Sequence, residues 1–228
     1  MLTIIYVHGT YSSKEIKLFG LKHRGLGDFL NAAKKGNPKS EAEQRALINL
    51  GHMFRSKGNC VLRSFYWSGG DTRADRQQAG TELYACLQLI RTPVLLVTHS
   101  HGGNVAGHAL SISDAFHVDA TCLFACPVIG GADNAWHPVS VRAAGEFFTF
   151  SHPRDGIQVT GAAARNSIDM GASWGSSFVG DKVAGAKNIV ISPGGFFTGP
   201  IEAHSLMHSE EAFKMACGGV FASRSTGR

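Results

Sequence analysis

Charge is scarce in this chain, and long apolar runs are missing from it. Asp, Glu, Lys and Arg make up 17% of the 228 residues against 43% hydrophobic, a balance that argues against a disordered chain and leaves enough apolar side chains for a sizeable core. No apolar stretch reaches the roughly 18–20 residues that a membrane-spanning helix needs, so no transmembrane segment is predicted. The opening Met1 to Val7 has neither a basic leader nor a cleavage-like segment, which predicts a soluble, cytoplasmic protein. The five cysteines (Cys60, Cys86, Cys122, Cys126 and Cys217) are an odd number, and four of them lie in or beside apolar segments, where Cys acts as a small hydrophobe in a reducing compartment. Cys122 and Cys126 are close enough for a metal pair, but they sit in a strand-like run with no second Cys/His pair to complete a site. Basic residues outnumber acidic ones, for a formal net charge of +5, yet they are scattered, with only Lys22-His23-Arg24 and Lys34-Lys35 as clusters. Without zinc-finger spacing, an RNA-binding aromatic signature or a basic tract, no nucleic-acid partner is expected.

What the chain does have is alternation. Apolar, β-rich runs recur between segments of helical spacing, the pattern of a mostly parallel sheet covered by helices, and no internal repeat divides it, so residues 1–228 read as one α/β domain. Strands are predicted at Leu2 to Val7, Cys60 to Trp67, Val94 to Val97, Ala120 to Ala125, Glu146 to Phe150 and Asn188 to Ile191. A helix is predicted from Glu41 to Arg55. Another, Thr72 to Ile90, turns Ala79, Leu83, Cys86, Leu87 and Ile90 to the sheet and Arg73, Arg76 and Gln77 to solvent. Val105, Ala109 and Ile112 predict a helix after Ser100, and a last helix is predicted over Ser205 to Ala216. The Gly/Ala/Ser-rich residues 161–185 read as a loose connection or a flap, and the tail from Gly218 as frayed.

The chemistry concentrates at strand ends. A serine hydroxyl becomes a nucleophile only when a base takes its proton and the backbone presents it clear of its neighbours, which calls for a sharp strand-to-helix turn. In Thr98-His99-Ser100-His101-Gly102-Gly103-Asn104 a strand stops, a serine follows, and paired glycines let the next helix approach closely. The competing reading of Ser100 is a helix N-cap. The string resembles the nucleophile elbow of lipases and esterases of the α/β-hydrolase superfamily, with Thr98 where G-x-S-x-G has its first glycine, so that the turn is expected to be wider or repacked.

That resemblance implies a compact α/β-hydrolase fold of about six strands. With little room between Pro127 and Gly145, no large cap is expected over the cleft. It implies an oxyanion hole from the N–H of His101 and of Thr10, the latter in the Ile4-Ile5-Tyr6-Val7-His8-Gly9-Thr10 loop, which is similar to the superfamily's HG-type loop. The superfamily's order of nucleophile, acid and base makes Asp155 the acid, with a turn aspartate as the plainer reading and Asp133 and Asp169 as fallbacks. It leaves His204 and His208 as candidate bases, with His204 favoured because Ser205 reads as the cap of the last helix. No metal is expected of these two histidines, since no glutamate follows the first as in H-E-x-x-H, and no cofactor is implied. His99 and His101 are candidates for lining the pocket, while His8, His108, His137 and His152 read as turn or hydrogen-bonding residues. Trp67 and His208 are candidate substrate contacts, Trp67 being equally well explained by core packing. The activity implied is hydrolysis of a small-molecule or lipid ester through an acyl-enzyme. Thioester or amide cleavage, or a non-catalytic binding protein on the same scaffold, remain as alternatives.

Overall fold

The structure is a computed structural model that describes residues 1–9, 60–70, 72–129, 135–155, 178–180, 182–194, 203–204, 206–207 and 209–216. Its centre is a sheet of six strands, all parallel: β1 (Leu2–Val7), β2 (Cys60–Phe65), β3 (Val94–His99), β4 (Ala120–Phe124), β6 (Glu146–Ser151) and β8 (Lys187–Val190), side by side in the order β2-β1-β3-β4-β6-β8. Each lies within two residues of its predicted position. Two short strands that the sequence pattern does not announce, β5 (Val128–Ile129) and β7 (Phe178–Gly180), form a separate antiparallel pair, so that part of the Gly-rich stretch is strand.

The strands form because successive side chains point to opposite faces, and here both faces are covered. From β1 and β3, Ile5, Val7, Val94 and Leu96 enter one apolar cluster, and Ile4, Tyr6, Leu95 and Val97 enter another. The first cluster is closed by three helices, α1 (Arg73–Gln88), α2 (Gly102–Leu110) and α3 (Pro138–Ala143). The second is closed by Met207 and, from the helical residues 210–216, Ala212, Phe213 and Ala216. Phe124 stacks on Phe150 and meets Phe213 edge-on, tying that last helical stretch to two strands. Full burial of side chains such as Leu96, Phe150 and Leu83 contributes about 1.5–3 kcal/mol each.

Helix α1 starts where Thr72 caps it, accepting from the Asp75 N–H at 3.1 Å. Its predicted stripe holds for Ala79, Leu83 and Leu87, with Cys86 and Ile90 packing at the margin. Arg76 departs from the expectation: it is buried rather than turned to solvent. The predicted helix over 41–55 lies outside the described residues. The last helix also differs from its prediction. Residues 203–204 and 206 form a helical turn, and the stretch 210–216 is capped by Ser209, whose hydroxyl accepts from the Ala212 N–H. Ser205, the predicted cap, is outside the described residues.

Helices α1 and α2 meet at Gly80. A Cβ there would lie 2.7 Å from the His108 Cβ and 3.1 Å from the Ala109 backbone nitrogen. Alanine in mid-helix gains about 1 kcal/mol of helix propensity over glycine, but overpacking of this kind costs about 1–3 kcal/mol, and here one of the crowded atoms is backbone. Gly80→Ala is therefore expected to lower the urea unfolding midpoint, and a raised midpoint would contradict this helix contact.

Candidate active site

In an open parallel sheet, ligands gather beyond the carboxyl ends of the strands where the strand order reverses. That point lies here between β1, whose other neighbour is β2, and β3, from which the order runs outward through β4. Beyond the end of β1 come His8 and Gly9, and at the end of β3 come His99, Ser100 and His101.

Ser100 has a left-handed backbone, φ +52°. Such a conformation in a non-glycine residue costs of the order of 1–3 kcal/mol, and strain of this kind concentrates where geometry serves function. Ser100 is not the helix cap: the N-cap of α2 is His101, which makes no side-chain capping hydrogen bond. The Ser100 N–H donates to the Phe124 carbonyl at 2.9 Å, and its own carbonyl accepts from the Gly103 N–H at 3.0 Å, so the turn is fixed on both sides.

The glycines explain how the helix can start here. A Cβ on Gly102 would fall 2.3 Å from the His8 carbonyl oxygen and 2.4 Å from that of Val7, so the first turn of α2 rests directly on the backbone of β1. Gly103 accounts for Thr98. A Cβ on residue 103 would meet Cys126 Sγ at 2.3 Å and Thr98 Oγ1 at 3.2 Å. The threonine is thus accommodated by repacking, opposite a glycine, and its hydroxyl donates to the Cys122 carbonyl at 3.4 Å. Cys126 fills the same space as a neutral thiol. Burial pushes it up to about 12, with the Trp136 N–H and the Arg76 charge pulling the other way. The four described cysteines carry no disulfide.

Asp155 and His204 come together. Asp155 ends the turn after β6, where its N–H donates to the His152 carbonyl. It is more than a turn residue, because its buried carboxylate lies 2.8 Å from His204 Nδ1. A carboxylate only accepts, so Nδ1–H donates and Nε2 of the neutral ring is left as the basic nitrogen. The His204 side chain keeps 12% exposure against 1% for Asp155, so the pair has one end in the protein and one toward the surface. His204 stands against the residue before Ser100: its ring centroid is 4.9 Å from that of His99, and its carbonyl is 3.1 Å from His99 Nε2. His208, Thr10, Asp133 and Asp169 lie outside the described residues.

Other side chains on the strand ends serve the scaffold. The Asn104 amide donates to His101 Nδ1 at 3.2 Å and to the Pro127 carbonyl at 3.0 Å. Of the two readings of Trp67, substrate contact or core packing, the structure shows the packing. Trp67 is fully buried, its indole N–H donates to the His8 carbonyl and its ring stacks on the His8 imidazole. His8 is a hydrogen-bonding residue, one of the two roles expected of it. Its Nε2 accepts from the Trp67 N–H and its Nδ1 donates to the Gly9 carbonyl at 2.7 Å, which bridges the ends of β1 and β2. Its adjacency to Gly9 in the sequence was the available signal. A Cβ on Gly9 would lie 2.8 Å from the Ser100 Cβ, so this bridged segment touches the serine.

Among the described residues, no three His, Cys, Asp or Glu side chains cluster to hold a metal ion, and no helix is long and apolar enough to cross a membrane. No model of a known protein family matches the chain, and comparison with curated proteins finds no significant match.

Burial lowers His8 from 6.5 to about 4, against the pull of its backbone hydrogen bonds to Gly9 and Trp67. Between those values the unfolded chain holds a proton that the folded chain refuses, so stability falls as pH drops from 6.5 to 4, by about 3 kcal/mol from this residue; above 6.5 both states are neutral and the dependence vanishes. His8→Asn keeps an N–H for the Gly9 carbonyl and removes the titration. The wild-type urea midpoint should therefore fall more steeply than that of His8→Asn between pH 6.5 and 4, and equal slopes would contradict a neutral, buried His8.

Proposed function

We propose that the protein is a serine hydrolase of the α/β-hydrolase type that cleaves carboxylic esters through an acyl-enzyme. The observation that carries the reading is Ser100 at φ +52° between β3 and α2, together with an Asp155–His204 pair bonded at 2.8 Å whose histidine packs on His99, the residue before the serine. A left-handed serine at the reversal point of a parallel sheet, with a carboxylate-oriented histidine packed on the residue before it, supports a nucleophile and its base. The strand order supports the same reading, since nucleophile, acid and base follow β3, β6 and β8 in turn.

In this reading His204 Nε2 takes the proton of Ser100 as its oxygen attacks the acyl carbon. Asp155 stabilises the imidazolium without taking the proton itself. The oxyanion is held by the N–H of His101, at the positive end of α2, and by the N–H of Thr10. His204 returns the proton to the departing alkoxide, and water then repeats the cycle to release the acid. A small-molecule or lipid ester is the proposed substrate, and no metal or cofactor enters these steps.

The test is turnover of p-nitrophenyl esters of increasing chain length, a phospholipid, an acyl thioester and an anilide. Ester hydrolysis is expected to lead, with Ser100→Ala and His204→Ala lowering kcat by about 10³-fold or more and Asp155→Asn by roughly 10²- to 10⁴-fold. A dominant rate on the thioester or anilide would move the substrate class while keeping the machinery. A folded wild type inert on all of them would leave the scaffold as a binding protein.

A further inference from the structure

The ring of His204 is gripped by Asp155 at Nδ1, but one hydrogen bond to a ring leaves its main chain free to shift. The second grip comes from His99. Its side chain is buried at the end of β3, one residue before Ser100, and its Nε2 lies 3.1 Å from the His204 carbonyl. A carbonyl only accepts, so Nε2–H is the donor. The same carbonyl also accepts from the Met207 N–H at 3.3 Å, which closes the helical turn around residue 204. The opposite side of the His99 ring faces the end of β1, where a Cβ on Gly9 would lie 3.4 Å from its Nδ1. The two imidazoles pack at 4.9 Å with their planes inclined by 55°. The side chain thus lies where the β1 end, the serine turn and the His204 segment meet.

We propose that His99 is a positioning residue that locks the base to the nucleophile: it ties the His204 main chain to the strand that presents Ser100, so that the two reacting groups move as one body. This rests on the reading of Ser100 and His204 as nucleophile and base. The geometry gives the two contacts of His204 different tasks. Asp155 sets the tautomer and tilt of the ring, and His99 sets where the ring stands relative to Ser100. A displacement of about 1 Å at such a point costs about 10²-fold in rate, because attack and proton transfer depend on the separation of the reacting atoms.

The experiment compares wild type, His99→Phe, which keeps a ring and loses the donor, and His99→Gln, whose amide N–H has a reach similar to Nε2. The readouts are the second-order rate of fluorophosphonate labelling, and kcat and KM for a short p-nitrophenyl ester. Circular dichroism selects folded protein. His99→Phe is expected to lower the labelling rate and kcat by about 10- to 100-fold with little change in KM, and His99→Gln to recover most of the loss. Wild-type rates in His99→Phe, or a folded His99→Gln that labels no faster than a slow His99→Phe, would overturn the positioning role while leaving the hydrolase reading intact. Should His99→Phe not fold, His99→Gln against His99→Leu gives the same comparison. A wild type that does not label at all would overturn the hydrolase reading, and the positioning role with it.

Discussion

The contact on which the rest of this structure depends is backbone against backbone. The first turn of α2 rests on the end of β1 so closely that a single carbon on Gly102 would strike the carbonyls of Val7 and His8. With the helix that near, the chain leaving β3 has no room for a gradual loop and reverses within one residue. That residue is Ser100, and its left-handed backbone is the local cost of the approach. The cost is offset by the core that the approach creates, in which Val105, Ala106 and Ala109 of α2 are buried with Ile5, Val7 and Leu96 of the sheet.

The neighbouring features follow from the same constraint. Gly103 leaves a space that Thr98 and Cys126 share. His8, neutral because it is buried, fixes the Gly9 carbonyl and is itself held by Trp67, so the end of β1 forms a firm floor under the turn. Asp155 and His204 then arrive from the far half of the sheet, carried by the segments that follow β6 and β8. Their hydrogen bond needs both segments to be in register, which links the chemistry proposed for Ser100 to the packing of Phe124, Phe150 and Phe213 beneath it. His99 would connect the two halves.

The six parallel strands were legible because strands buried on both faces read as apolar runs of the right length, and the serine turn was legible from its glycines. The places where residue patterns misled have physical causes. Arg76 carries a charge and so reads as solvent-facing, yet its position on α1 lies toward the core. Trp67 lies just beyond the end of β2, and whether an aromatic there points to a cleft or the interior depends on its partner, His8, which is distant in the chain. Strands of two and three residues such as β5 and β7 are too short to show a period. Ser205 and Ser209 both have the chemistry of a cap, and it is the Ser209 hydroxyl that accepts from the Ala212 N–H at the start of the stretch 210–216. Among the described side chains His204 is the histidine bonded to Asp155, a pairing across 49 residues that no local pattern encodes.

The central claim is that Ser100 is a nucleophile. It is tested most directly by treating the folded protein with a fluorophosphonate and locating the adduct by peptide mass spectrometry. A single phosphonyl group on Ser100, lost in Ser100→Ala, is the predicted result. An unmodified wild type, or an adduct that persists in Ser100→Ala, would contradict it.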